Sequence, residues 1–141
     1  MMSGFIMGIK AYQTEYNRFP SEAISPTRSQ TRGKIMVTLH PDQNAPQPPD
    51  GNPRKINFFD PPSAKKKMNG LYYDEKDEPV LVDPWGAPLY FMVSLDEKEK
   101  IPNPDARDKP ANPFIKNSVI VYSAGPDKNP DTWEDNVMSW K

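Results

Sequence analysis

The sequence predicts an α+β fold in which one N-terminal α-helix packs on a small antiparallel β-sheet and long loops join the elements. Three observations lead there: a helical apolar stripe near the N-terminus, β-branched runs in the second half, and 18 prolines with 7 glycines among 141 residues. Proline plus glycine is about 18% of the chain against an average of about 12%. A hydrophobic share of 35% suffices for one compact core, so residues 1–141 read as a single head domain. Within it, 3–17 is the helix, 21–79 a variable segment, and 80–141 the sheet with a C-terminal loop.

Phe5, Ile9, Tyr12 and Tyr16 fall at i, i+4, i+7 and i+11 with Ile6 beside them, while Lys10, Gln13, Glu15 and Asn17 lie mostly elsewhere. That spacing predicts a helix over 3–17, about 22 Å long. Pro20 ends it, because proline disfavours helical backbone at Phe19 and cannot donate the next ladder bond. Residues 21–34 are polar, and Lys34 to His40 (KIMVTLH) is a short strand or a helical turn. Pro41 to Pro53 carries five prolines with Asp, Asn and Gln and reads as a loop. Ile56 to Phe59 is a brief apolar patch, and Ala64 to Met68 a basic turn before Gly70.

From there the pattern becomes β. Val80–Val82, the turn Asp83-Pro84-Trp85-Gly86 and Leu89–Val93 read as strand, turn, strand, with Pro84 at the second turn position and Gly86 supplying backbone freedom. Residues 94–117 are charged and proline-rich. Ser118 to Ser123 (SVIVYS) is β-branched and reads as the central strand, and 124–139 form a loop ending at Trp140. The helical stripe is expected to face a sheet built from 80–82, 89–93 and 118–123, because no other apolar partner of comparable length is visible.

Charge and composition exclude several classes. Lys plus Arg is 18 and Asp plus Glu 19, a net charge of -1, which argues against nucleic-acid binding through whole-protein charge. Residues 1–70 carry 10 basic and 5 acidic side chains, residues 71–141 carry 8 and 14, so cation binding is to be sought in the second half. Without cysteine there is no disulfide, zinc thiolate or cysteine nucleophile, and His40 alone makes no histidine cluster. No nucleophile elbow or phosphate-cradling glycine loop is present, and the chain reads as non-enzymatic. Nothing approaches the ~20 apolar residues of a membrane span, and Met1–Gly8 is too short for a signal peptide.

The densest cluster runs from Ser123 through Asp127, Asn129, Asp131, Glu134 and Asp135 to Asn136. Ca²⁺ takes six to eight oxygens, and this loop clusters carboxylates, amides and turn carbonyls. It is not an EF-hand: Thr132 stands where that pattern needs glycine and Met138 where it needs glutamate. On residue types alone a solvated acidic turn is the favoured reading. Trp85 beside its turn reads as a plug at the end of the core, Lys65-Lys66-Lys67 as a solvated face, since lipid-binding patches need 4–8 basic residues, and His40 as a surface or satisfied side chain.

The helix ending Tyr16-Asn-Arg-Phe-Pro20, the turn Asp83-Pro-Trp-Gly86 and the tail Tyr122-Ser-Ala-Gly-Pro-Asp127 through Glu134-Asp-Asn-Val-Met-Ser-Trp140 occur in that order. In this the chain resembles a bacterial pseudopilin, most closely the major, G-type pseudopilin of type II secretion. The resemblance implies a head packed on the C-terminal part of the pilin helix, whose preceding half is an inner-membrane anchor and fibre core processed by prepilin peptidase. The head would lie in the periplasm, assembled with other pseudopilin subunits and inner-membrane secretion components into a fibre that supports protein export. It also implies Ca²⁺ in the last loop, with Asp127 and Asp135 as ligands, strand-end carbonyls near Ser123, and Asp131, Glu134 or Asn136 completing the shell.

The chain departs from the family pattern in places. Pro126-Asp127-Lys128-Asn129-Pro130 stands where glycine-rich sequence is common, and Asn136 where a carboxylate is common. The proline-rich stretches 41–53 and 101–113 exceed those of a major pseudopilin, which leaves a minor subunit, a type IV pilin-like protein or a divergent secretion system open. The competing reading is a free-standing periplasmic or extracellular glycan- or peptide-binding module presenting Trp85, Trp133 and Tyr72-Tyr73. Its mark would be an aromatic groove. The soluble fragment is expected to be monomeric and to bind no nucleic acid.

Overall fold

The structure, a computed structural model, describes residues 1–47, 51–95 and 99–140. Parts of the predicted loops 41–53 and 94–117, residues 48–50 and 96–98, lie outside the described residues. The fold is mixed α and β: one long N-terminal helix with antiparallel sheets. Helix α1 (Met2–Tyr16) begins and ends one residue before the predicted span. It stops at Asn17, which turns left-handed at φ 58°, a conformation asparagine tolerates.

The chain then passes through a 3₁₀ turn at Ser21–Ala23, β1 (Ser29–Gln30), helix α2 (Lys34–Leu39), β2 (Gly70–Tyr73), β3 (Pro79–Val82) and β4 (Tyr90–Val93). It continues into β5 (Ile101–Pro102), β6 (Phe114–Ile115), β7 (Val119–Ser123) and β8 (Val137–Met138). KIMVTLH is therefore helical, with Ile35, Met36, Thr38 and Leu39 buried.

Strand β7 is central, as its β-branched run predicts: the main sheet is antiparallel in the order β1-β4-β7-β8, and all five β7 residues are buried. The register pairs Phe91 with Val121 and Met92 with Ile120, and side chains alternate faces. Phe91, Val93, Val119 and Val121 join Phe5, Ile9 and Tyr12 of α1 in one core, where the Phe5 and Phe91 rings meet edge to face at 5.0 Å. Met92 and Ile120 on the other face meet Ile101 and Ile115 of the β5–β6 arm. The sheet is covered on both sides, and the charged stretch after β4 contributes a second small core that alternation did not reveal.

Two expectations are corrected. First, the 80–82 and 89–93 strands do not pair as a hairpin in one sheet. Beyond a single bridge, Val82 to Pro88, β3 pairs with β2 and β4 with β1 and β7. Pro88 has no N–H to extend the ladder, and fully buried Thr31 occupies the gap. Its N–H donates to the Leu89 carbonyl (2.9 Å) and its carbonyl accepts the Leu81 N–H (2.9 Å). Its hydroxyl donates to the Leu81 carbonyl (2.8 Å) and accepts the Leu89 N–H (3.0 Å). One threonine thus stitches the two strands together.

Second, the helical stripe has partners beyond the sheet. Its first half, at Phe5 and Ile9, lies on the sheet core. Its second half packs on the variable segment, with the Tyr12 and Tyr16 rings against Phe58 at 5.5 and 6.1 Å. The Tyr12 hydroxyl donates to the Gly51 carbonyl and accepts from Arg18 (2.8 Å), and Tyr16 donates to Asn52 Oδ1 (2.6 Å). Buried Asn52 spends its amide on the Thr38 and Ile56 carbonyls. Because Tyr12 is fully buried, Tyr12→Ala should lower stability by about 2–4 kcal/mol in urea denaturation. An unchanged midpoint would contradict the packing.

Candidate functional site

The Asp83-Pro-Trp-Gly86 turn organises around its first side chain. Asp83 is fully buried, and its Oδ1 accepts the Trp85 and Ala87 N–H groups, both at 3.0 Å. Its Oδ2 accepts the Ser123 hydroxyl at 2.6 Å. Ser123 Oγ in turn accepts the Gly125 N–H at 3.0 Å, so the turn and the start of the C-terminal loop share one hydrogen-bond chain. Gly125 takes φ 76°, and a Cβ there would collide with the Asp135 carbonyl oxygen. Only glycine lets the two limbs of the loop approach so closely.

Within the loop, Asp127 Oδ1 accepts the Asn129 N–H (2.9 Å), Asn129 Oδ1 accepts the Asp131 N–H (3.0 Å), and Asp135 Oδ2 accepts the Asp127 N–H (3.3 Å). Asn136 donates its amide to the Pro130 carbonyl at 2.8 Å. Two acceptors remain: Asp135 Oδ1 and Asn136 Oδ1 are buried without a hydrogen-bond partner among the described residues. Buried oxygens are normally paired, and oxygens of this type are the ligands a hard cation takes. Among the described residues no three His, Cys, Asp or Glu side chains gather around a common point, so a cation here would rely on Asp135, Asn136 and backbone carbonyls.

The six predicted ligands therefore divide. Asp135 accepts the Asp127 backbone N–H, while the Asp127 carboxylate accepts the Asn129 N–H and Asn136 donates to the Pro130 carbonyl. Ser123, expected to contribute through strand-end carbonyls, gives its hydroxyl to Asp83. Asp131 turns outward to Arg28, Nη1 to Oδ1 3.0 Å. Glu134 is exposed and lies in the field of Arg107, a cation stabilised above all by its hydrogen bonds to Asp105 and, more weakly, by the charges of Asp105, Glu134 and Asp108. Arg28 lies 103 positions from Asp131, so spacing gives no sign of that pair, whereas Arg107 bonds Asp105 only two residues away. Asn103 and Asp105, which knit the 103–112 loop internally, were likewise unmarked.

Behind the loop stands an aromatic wall. Tyr122 stacks on Tyr90 at 5.5 Å and meets Trp133 at 4.8 Å and Trp140 at 6.1 Å. Trp133 is buried, so it presents nothing to a glycan. Trp85 is half-buried and lines a small apolar cavity with Met1, Met2 and Leu89, and among this group of aromatics Tyr73 is the exposed ring. His40 points Nδ1 at the Phe59 carbonyl, 3.0 Å away.

No family model matches the chain, and no curated protein or solved structure matches it either. No helix among the described residues is long and apolar enough to cross a membrane.

Burial raises the phenol pKa of Tyr122, against the lowering effect of the Arg28 hydrogen bond, and burial likewise raises Tyr12 against Arg18. A raised folded value keeps both phenols neutral where the unfolded chain ionises. Their stabilisation is present in full below the ordinary phenol pKa of about 10 and is lost as pH climbs through the raised folded values. Ultraviolet titration of tyrosinate should therefore show two phenols ionising late, together with alkaline unfolding. Six tyrosines titrating uniformly near 10 would contradict the burial.

Proposed function

We propose that this chain is a non-enzymatic structural subunit of a type II secretion pseudopilus, or of a related type IV pilus-like fibre, whose C-terminal loop is stabilised by Ca²⁺. The observation that carries the reading is the pair of unpartnered buried oxygens, Asp135 Oδ1 and Asn136 Oδ1, in the loop where the resemblance expects calcium. The order of parts supports it: a helix with one face on an antiparallel sheet, a DPWG turn, and a Ser-x-Gly-x-Asp element hydrogen-bonded to that turn. In this reading the head is periplasmic and the helix continues into a membrane anchor shared with neighbouring subunits.

In the loop a divalent ion would offset the repulsion among Asp127, Asp135 and their acidic neighbours. Asp135 and Asn136 would hold it, with carbonyls of the adjoining turns. Because binding favours the folded chain, Ca²⁺ at a hundred times its dissociation constant should stabilise by about 2.7 kcal/mol. Thermal unfolding in EDTA against millimolar Ca²⁺ reads this directly. A higher midpoint in Ca²⁺ that disappears in Asp135→Ala and weakens in Asp127→Ala is expected, and equal wild-type midpoints would leave a solvated acidic turn.

The fibre reading has its own test. In cells producing the full gene product, chemical cross-linking of membranes should give a ladder of subunit multiples. A monomer-only pattern in the membrane fraction, or recovery of the protein solely as a free monomer, would overturn it.

A further inference from the structure

The β2–β3 hairpin carries opposite charge at its two ends. Before β2, Lys65 and Met68 exchange both backbone hydrogen bonds (3.0 and 3.1 Å) around Lys66 and Lys67, whose φ values are 54° and 59°. Positive φ at both central residues is the type I′ pattern, which asparagine and glycine adopt most readily, so two lysines occupy it against their backbone preference. All three lysines are exposed and none forms an ion pair among the described residues.

Beyond β2 the turn 74–78 is acidic. Arg32 neutralises Asp74 and Glu78, each at 3.2 Å, which leaves Asp77 without a cation partner among the described residues. Asp77 and Asp42 stand at an open cleft of about 690 Å³ walled by Val37, His40, Tyr73 and Pro79. Asp42 is unpaired in the same sense, since Lys55 gives its ammonium to the Gln43 carbonyl at 3.1 Å. The Tyr73 ring is 56% exposed and has no ring or hydrogen-bond partner among the described residues.

We propose that the Lys66–Lys67 tip of one copy of this chain docks in the Asp42–Tyr73–Asp77 cleft of a second copy. An ammonium group finds there two carboxylates and the negative face of a phenol ring. Tip and cleft lie at opposite ends of a four-residue strand, about 13 Å in length. Lys67 shares a shallow hollow with Asp74 and Glu75 and Asp42 accepts the Asn44 N–H, but neither the tip lysines nor Asp42 and Asp77 of the cleft form an ion pair among the described residues. Because the contact joins two different patches, it is heterologous and propagates head to tail unless rotation closes it. The contact rests on the fibre-subunit reading, to which it adds a bond between heads. Such a bond gains from repetition along an array and weakens with salt.

The chain has no cysteine, so engineered pairs report the contact cleanly. Met68→Cys beside the tip and Asn44→Cys at the cleft leave every proposed charge in place. Oxidised at low ionic strength, the full chain carrying both should yield dimers, trimers and higher species, whereas either single variant stops at dimer. Species beyond dimer should fall about fivefold at ~0.5 M salt, where screening lengths are about 4 Å, and to the same extent with Asp42→Lys and Asp77→Lys added. Unchanged melting of the reduced variants controls for folding. A ladder no longer than that of Lys109→Cys with Asn44→Cys, or one indifferent to charge reversal, overturns the contact. Such a failure removes the contact alone, because membrane cross-linking judges the fibre separately.

Discussion

The hydrogen bond between Ser123 and the buried carboxylate of Asp83 is the constraint on which the remaining architecture depends. A buried carboxylate is costly unless its oxygens are satisfied, and Asp83 meets that requirement with two backbone N–H groups of its own turn and one hydroxyl from the end of β7. The turn therefore cannot form correctly away from the central strand. Through Ser123 the same chain reaches Gly125, where the loop doubles back against Asp135. The positions of Asp135 and Asn136 follow from a turn about fifty residues earlier.

A second constraint is that the inner strands β4 and β7 are covered on both faces. Helix α1 covers one side, and the β5–β6 arm with Trp140 covers the other. Strand β7 can thus be buried along its whole length, which the uninterrupted Val-Ile-Val-Tyr run requires. Thr31 then joins β3 to Leu89 through backbone and hydroxyl together, satisfying four backbone groups where proline interrupts a direct hairpin. This buried polar residue specifies the strand arrangement as firmly as the apolar core does.

Electrostatics divide the acidic half of the chain. Arg28 draws Asp131 outward, while Asp127, Asp135 and Asn136 bond within the loop. The loop consequently holds fewer free charges than its composition suggests, and its distinguishing feature is two buried acceptors with no donor. At the β2–β3 turn Arg32 selects Asp74 and Glu78 and leaves Asp77 to the cleft. In both places an arginine from a distant segment decides which carboxylates are available.

Local sequence determined the elements whose signals are short-ranged. The α1 stripe, its end before Pro20, the β-branched central strand, the DPWG turn and the α+β class were legible because periodicity and turn chemistry act over a few residues. Tertiary structure decided what those elements touch. Thr31 sits in a polar stretch with no periodicity, yet it replaces the expected hairpin; Phe58 and Asn52 come from a proline-rich segment, yet they hold the second half of the helix. The Ser123 hydroxyl belongs to Asp83, a partner that the loop's own sequence does not mark. Each of these outcomes turns on a hydrogen bond or ring contact between residues 36 or more positions apart, and an interaction between segments leaves no mark in the composition or spacing of either one.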